Sequence, residues 1–313
     1  MEKFTEWRDQ GTGVPPFLPA MPSLSQEKGF RGFYHNCVAL GRLTIASPFL
    51  ILAVIVGINR ISKSLVKFGL VILCNWNLQV SIQGVRRTEQ RSVHMPQKNH
   101  MYMVNYSSPL DCVALWFLAD GPVKFCIASD VQGSSLVELG IWQFFKFTLQ
   151  GSLPEGSDFG RKVTKFSNLQ DKVVFVFPEG TCSNGKSVLG LVLNQQSLDQ
   201  FLDENDDARE IGVSTGAKHT KSSVPVARKK VQTIQLKIKS TLATPLSLGL
   251  WKYLVRMTTQ GVTYKCKISE PIPADLDDIR VSLAGGDKFK LVNRKLNLRS
   301  KRAFVKAYGE RRR

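Results

Sequence analysis

The sequence predicts an α/β domain on a mixed, largely parallel sheet, preceded by a membrane-inserted helix or helical hairpin. Three observations lead there. A nearly uncharged stretch runs from residue 38 to 58, short apolar runs alternate with helix-length amphipathic segments from residue 77 onward, and two polar junctions each join a strand-like run to a following helix. With 313 residues and 43% hydrophobic content the chain can bury a large core, which excludes a disordered protein.

Residues 1–36 are polar and rich in turn formers, with no apolar core of the kind a cleavable leader has. The run VALGRLTIASPFLILAVIVGI (38–58) then carries one charge, Arg42. From Leu43 to Ile58 there are 16 uncharged residues, roughly 24 Å of helix against a hydrocarbon core of about 30 Å, so a full span requires Arg42 to snorkel outward. LVKFGLVILCNW (65–76) is too short to span alone. Residues 37–76 therefore read as a membrane anchor, either a hairpin in one leaflet or a spanning helix followed by an interfacial one. Two buried core helices form the third alternative.

Strands are expected at NLQVSIQG (77–84), HMYMVN (100–105), VKFCIAS (123–129), KVVFVFPEG (172–180), TIQLKIKS (233–240) and VTYKCKISEP (262–271). Helices are expected at LDCVALWFLA, at SLVELGIWQFFKFTLQ and at GLWKYLVRMT. The segment 202–230 shows neither period and reads as a long surface loop. The domain thus runs from 77 to 275, and 276–313 reads as a basic helical tail. From Gly286 to the end, eleven Lys and Arg face two acidic residues, while Phe289, Leu291, Val292, Leu296, Phe304, Val305 and Tyr308 recur at roughly helical spacing. This is the pattern of an amphipathic helix at a membrane surface, and equally of a solvated helix with a basic end.

The charge balance is +18. It favours an anionic partner, and no recognition motif accompanies it, so nucleic acid is not expected. Six scattered cysteines without metal-ligand spacing read as reduced thiols facing the cytosol.

The chemistry lies at the two junctions, NYSSPLD (105–111) and FPEGTCSNG (177–185). The second offers a carboxylate, a glycine that admits close backbone approach, and hydroxyls beside a turn, all suited to holding a phosphate or polyol. Together, about 70 residues apart, the two resemble the 1-acylglycerol-3-phosphate (PlsC-like) glycerolipid acyltransferases. In that family's first block, N-H-x-S-x-x-D, Asn105, Ser108 and Asp111 match, and Tyr106 stands where the His belongs. The second block is faintly echoed in LQGSLPEGSDFGR (149–161), where Arg161 falls too late to be assigned. In the third, F-P-E-G-T-R-S-x-G, residues Phe177, Pro178, Glu179, Gly180, Thr181, Ser183 and Gly185 match, and Cys182 replaces the Arg. The fourth, an apolar strand ending in proline, corresponds to LATPLSLG with Pro245. KISEPI (267–272) resembles the strand closing the family's domain, and the two ends of the chain look like fungal members of the family, membrane proteins of the endoplasmic reticulum and lipid droplets.

The resemblance implies a glycerolipid acyltransferase fold that moves an acyl group, oleoyl by the fungal likeness, from acyl-CoA to lysophosphatidic acid. It implies acyl-CoA as co-substrate, no cofactor, no metal, and a membrane or lipid-droplet surface as partner. Such a transfer needs a base for the hydroxyl proton and donors for the oxyanion. In the family the His is the base and the Asp orients it. A tyrosine, titrating near about 10, is a poor base at neutral pH. Asp111 is therefore expected to act as base, directly or through water, with Tyr106 positioning the hydroxyl and Asn105 and Ser108 completing the block. Glu179, Gly180, Thr181, Ser183, Lys186 and Pro245 are expected to bind substrate, Lys186 supplying a point charge in place of the missing Arg. His94 and His100 read as surface residues, and Cys182 as apolar filling. The replacements at 106 and 182 also leave room for a catalytically silent fold that binds lipid or CoA.

Overall fold

The apolar runs expected as strands pair into one sheet. The computed structural model describes residues 2–20, 29–57, 60–86, 89, 94–129, 135–153, 160–203, 229–286 and 288–310. In chain order the elements are α1 (Phe30–Val56), α2 (Arg60–Cys74), β1 (Asn77–Ile82), β2 (Met101–Val104), α3 (Asp111–Leu118), β3 (Val123–Ala128), β4 (Leu136–Leu139), α4 (Ile141–Leu149), β5 (Arg161–Val163), β6 (Val173–Phe177), β7 (Ser187–Val188), α5 (Gln195–Asp203), β8 (Lys230–Lys237), α6 (Leu250–Gln260), β9 (Thr263–Ile268), β10 (Ile272–Pro273), α7 (Leu276–Ala284), β11 (Lys290–Leu291) and α8 (Leu298–Glu310). The sheet runs β1-β9-β8-β2-β6-β3-β4-β5, with β10 pairing β8 and a separate β7–β11 pair. Strands β8, β2, β6 and β3 are mutually parallel, β9 and β4 run against them, and β1 follows β9. The expectation of an α/β domain with a mixed, largely parallel sheet holds.

The central strands β2 and β6 are buried along their whole length, as Val- and aromatic-rich runs sandwiched between two layers must be. Their C-terminal ends deliver both polar junctions to the same edge of the sheet. One difference lies at 135–150, expected as a single helix. Residues Leu136–Leu139 instead form β4, antiparallel to β3, where Glu138 meets Lys124 at 2.6 Å. Gly140 breaks the run, and its N–H is capped by the Gln143 Oε1 at 2.9 Å before α4 begins. The loop expected over 202–230 falls, from 204 to 228, outside the described residues, as do residues 154–159 of the second-block segment.

Helix α1 is 27 residues long with mean hydropathy 2.1 over its most apolar stretch, long and apolar enough to cross a membrane. Its Ile45, Ile51, Leu52, Val54 and Ile55 are exposed, which removes the alternative of a buried core helix. α2 folds back on it, the Phe49 and Phe68 rings 4.8 Å apart and Leu50 filling the space above Gly69. α2 is two-sided: Leu70, Leu73 and Cys74 enter the core while Ile61, Phe68 and Val71 face outward. Arg42 does not snorkel. Its Nη1 donates to the Thr258 carbonyl at 2.7 Å, near the end of α6, where a cation meets the negative end of the helix.

The basic C-terminal segment is helical in part, and most of its apolar residues turn inward. Ile279, Leu283, Phe289 and Leu298 join the core below the sheet, and Val292, Leu296 and Phe304 build a further cluster with Phe17 and Leu189. The apolar spacing read as a membrane face is spent on the protein itself. Phe4, Trp7 and Phe17 of the N-terminal segment surround the Phe304 ring at 5.5, 5.6 and 5.8 Å, so the two ends of the chain meet on α8.

Candidate active site

Asn105, at the end of β2, extends the ladder with its side chain. Its Oδ1 accepts from the Leu236 N–H at 2.7 Å and its Nδ2 donates to the Leu236 carbonyl at 2.9 Å, fixing the first junction to β8. The backbone then turns so that Asp111, the first residue of α3, reaches back over it. Asp111 Oδ2 accepts the N–H groups of Ser107 and Ser108 at 2.8 and 2.9 Å, and Oδ1 accepts the Tyr264 hydroxyl at 2.8 Å. A carboxylate so bonded, at a helix N-terminus, is favoured as an anion. Complete burial outweighs these bonds and pushes its pKa up to about 6.

Tyr106 points elsewhere. Its ring lies 5.1 Å from Phe144 and 5.0 Å from Phe177, and its hydroxyl is bonded to the Thr148 Oγ1 at 2.6 Å and the Ser152 Oγ at 3.2 Å. Burial, aided by the Cys182 thiol, pushes the phenol well above its usual 10, so it is a neutral group throughout the physiological range. Tyr264, not Tyr106, is the phenol that touches Asp111. The residue expected to position the acceptor hydroxyl instead fills the core between α4 and β6.

The second junction is stitched to the first through Tyr106's backbone. Glu179 Oε1 accepts the Tyr106 N–H at 3.1 Å, Glu179 Oε2 accepts the Leu189 N–H at 3.0 Å, and the Ser183 N–H donates to the Tyr106 carbonyl at 3.0 Å. Glu179 is wholly buried, and burial pushes it up to about 7. Both of its oxygens are occupied by backbone, which makes it a brace between the junctions rather than the substrate contact expected. Gly180 has φ +65°, and a Cβ there would stand 2.8 Å from the Ala128 carbonyl, so glycine is required. Thr181 Oγ1 donates to the Ser152 carbonyl at 2.7 Å, and the Ser183 Oγ to the Ser187 carbonyl at 3.0 Å. Ser108 Oγ pairs with the Tyr253 hydroxyl at 2.9 Å. The segment before Pro245, itself buried, joins the first junction through Thr244 N–H to the Ser107 carbonyl at 3.1 Å. Lys186 is exposed, its backbone N–H donating to the Asn184 Oδ1 at 3.1 Å.

The largest omission of the sequence reading is Lys301 of α8. Its ammonium is 0% exposed and donates to the Thr181 Oγ1 at 2.8 Å and the Cys182 carbonyl at 2.9 Å, with the Cys182 Sγ at 3.7 Å. Burial lowers its pKa. Nothing in a basic tail marks one of its eleven cationic residues as buried; only the aromatic neighbour Phe304, one turn on, hinted at a covered face. Tyr264 and Tyr253 had no better signal, since each meets its partner across more than a hundred residues of chain. Among the described residues, no group of three His, Cys, Asp or Glu is placed to hold a metal ion.

Two carboxylates with pKa values near neutrality lie in the arrangement: Glu179, which braces the junctions, and Asp111, held by three donors at the meeting point of β2, β6 and α3. Comparison with known proteins agrees with the motifs. A family model described as Acyltransferase matches residues 80–228. The chain is 36% identical over 315 residues to lysophosphatidic acid:oleoyl-CoA acyltransferase 1 of Saccharomyces cerevisiae, an alignment covering 98% of this chain and 97% of that protein. Among solved structures, the 1-acyl-sn-glycerophosphate (LPA) acyltransferase PlsC from Thermotoga maritima aligns with 82% of this chain and 95% of its own, at 15% identity and a TM-score of 0.36.

Proposed function

Since this chain belongs to the acyltransferase family, we propose that it transfers an acyl group, oleoyl in the first instance, from acyl-CoA to lysophosphatidic acid, giving phosphatidic acid and free CoA. The observation that carries this reading is the 36% identity over nearly the whole of both chains. In this reading the ionised Asp111 takes the proton of the acceptor hydroxyl as its oxygen attacks the thioester carbonyl. The tetrahedral intermediate then collapses, the carbon–sulfur bond breaks, and the CoA thiolate leaves and is protonated. A base with a pKa of about 6 is better matched to neutral pH than an ordinary aspartate. Acyl-CoA is a co-substrate here, and the chemistry calls for no separate cofactor. Anchoring through α1 at the endoplasmic reticulum or a lipid-droplet surface, with the domain on the cytosolic side, would feed phosphatidic acid to phospholipid and triacylglycerol synthesis.

A second reading is favoured by one observation, the complete burial of Asp111 and of Tyr106 in place of a histidine: a silent fold that binds lipid or CoA. CoA release from oleoyl-CoA with lysophosphatidic acid, followed for the full chain in detergent micelles beside Asp111→Asn, separates the two. Turnover that falls by about 10²-fold or more in the variant, the usual weight of a general base, supports the transferase. Turnover equal in both proteins removes Asp111 from the chemistry, and no turnover in either leaves the binding reading.

A further inference from the structure

Strands β8 and β9 run antiparallel, and their register sets Lys237 directly opposite Lys265 and Gln235 opposite Lys267. Residues two apart on a strand share a face, so the three lysines project to one side of the sheet. The alternate residues Ile234, Leu236, Tyr264, Cys266 and Ile268 enter the core on the other side, the side on which α2 and α6 pack. Lys288, just beyond α7, joins the group: Lys237 Nζ lies 5.9 Å over the ring of Phe289, its neighbour in sequence. Among the described residues none of the four ammonium groups has a carboxylate partner or a hydrogen bond. Lys288 is held below its usual pKa by partial burial and then by the charges of Lys267, Lys237 and Lys265. Like charges facing each other across a strand pair are destabilising. A multiply charged anion relieves that repulsion.

We propose that Lys237, Lys265, Lys267 and Lys288 form the docking surface for the phosphorylated nucleotide of acyl-CoA, an inference that rests on the transferase reading above. Position and chemistry select this anion over the others at hand. Lys237 directly follows Leu236, whose backbone holds Asn105 of the first motif, so the patch adjoins the motif edge of the sheet without containing the reacting groups. In an acyl-CoA the pantetheine arm separates the thioester from the diphosphate and the 3′-phosphate, so the nucleotide must be met away from the reacting carbonyl. The phosphate of lysophosphatidic acid, by contrast, sits a few bonds from its acceptor hydroxyl and belongs beside Asp111. A bilayer that takes the exposed face of α1 lies on the opposite side of the sheet from the four lysines.

The test uses the full chain in zwitterionic detergent micelles, as wild type and as Lys265→Gln/Lys267→Gln, a change that removes like charges and poses no threat to folding. KM is measured for oleoyl-CoA and for oleoyl-pantetheine, which lacks the nucleotide. The expected result is a wild-type preference for the CoA thioester that shrinks about tenfold in the variant, the weight of two partly solvated ion pairs. An unchanged preference, or an equal loss with both thioesters, overturns the proposal. Calorimetric titration with 3′,5′-ADP gives the same decision without turnover. Affinity that falls about tenfold in the variant supports the patch even if the transferase reading fails, whereas equal affinities overturn it.

Discussion

Removing the Tyr264 hydroxyl should move the pH dependence of the reaction in a direction fixed by geometry. The hydroxyl donates to Asp111 Oδ1 at 2.8 Å and so favours the ionised carboxylate; the two backbone N–H groups on Oδ2 remain in Tyr264→Phe. The ring stays in place, packed 5.5 Å from Trp76, so the perturbation is confined to one bond. A hydrogen bond to a charged group is worth about 1.5–3 kcal/mol, and about 1.4 kcal/mol corresponds to one pKa unit, so the Asp111 pKa should climb by about 1–2 units. Starting from about 6, Asp111 is roughly nine-tenths ionised at pH 7 in the wild type and between roughly one-tenth and one-half ionised in the variant. Since kcat/KM reports ionisation in the free enzyme, its acid limb should shift to higher pH by the same amount. Activity at pH 7 should fall about two- to tenfold and recover by about pH 9. The assay is CoA release at limiting oleoyl-CoA from pH 5 to 9. A limb that stays in place, or a loss of equal size at every pH, would refute Asp111 as the base.

Two further outcomes follow from the buried charges. Glu179, ordinarily near 4.5, is held near 7, so the native protein keeps a proton that the unfolded chain releases between those values. Stability must therefore fall as pH rises through that window, by roughly 3 kcal/mol, and Glu179→Gln should visibly flatten the decline in Tm between pH 5 and 8. An identical pH dependence in the variant would show that Glu179 is not the group responsible. Cys182→Arg, which restores the family's third block, would place a guanidinium where the Lys301 ammonium lies 3.7 Å from the sulfur. It should be strongly destabilising alone and substantially relieved by Lys301→Met, a coupling of about 1–3 kcal/mol in a thermal-denaturation cycle; additive effects would contradict it.

Most of the sheet was legible because its strands are short, apolar and bounded by turn residues, and the two junctions were legible because each polar cluster interrupts apolar sequence. β4 was not. Leu136–Leu139 runs straight into IWQFFKF, and the joined segment satisfies helical spacing better than either half declares its own state; only Gly140 marks the break. The C-terminal segment was misread for a different reason. Its apolar stripe is real, and periodicity reveals that a face is covered without revealing what covers it. Phe304 could meet a membrane or Phe4, Trp7 and Phe17, and the choice depends on packing some 290 residues away in sequence. The partners of Asp111 and Ser108 were hidden in the same way, because Tyr264 and Tyr253 sit in β9 and α6 with nothing local to set them apart from other core aromatics.

The two departures from the family motifs, Tyr106 and Cys182, look unrelated in the sequence and are one arrangement in space. The Tyr106 hydroxyl and the Cys182 thiol both meet the Ser152 Oγ, at 3.2 and 3.0 Å, and the thiol faces Lys301 on its other side. A tyrosine is longer than a histidine, and here its hydroxyl is taken up by Thr148 and Ser152. The space beside it at 182 is then suited to a small side chain, and the buried cation of the block comes from α8 rather than from the motif. Asp111, released from orienting an imidazole, is held by Tyr264 and two backbone donors instead. Each substitution makes sense only with the others in place. The C-terminal helix that supplies Lys301 is therefore part of the motif's architecture, joined to it through Thr181 and Cys182.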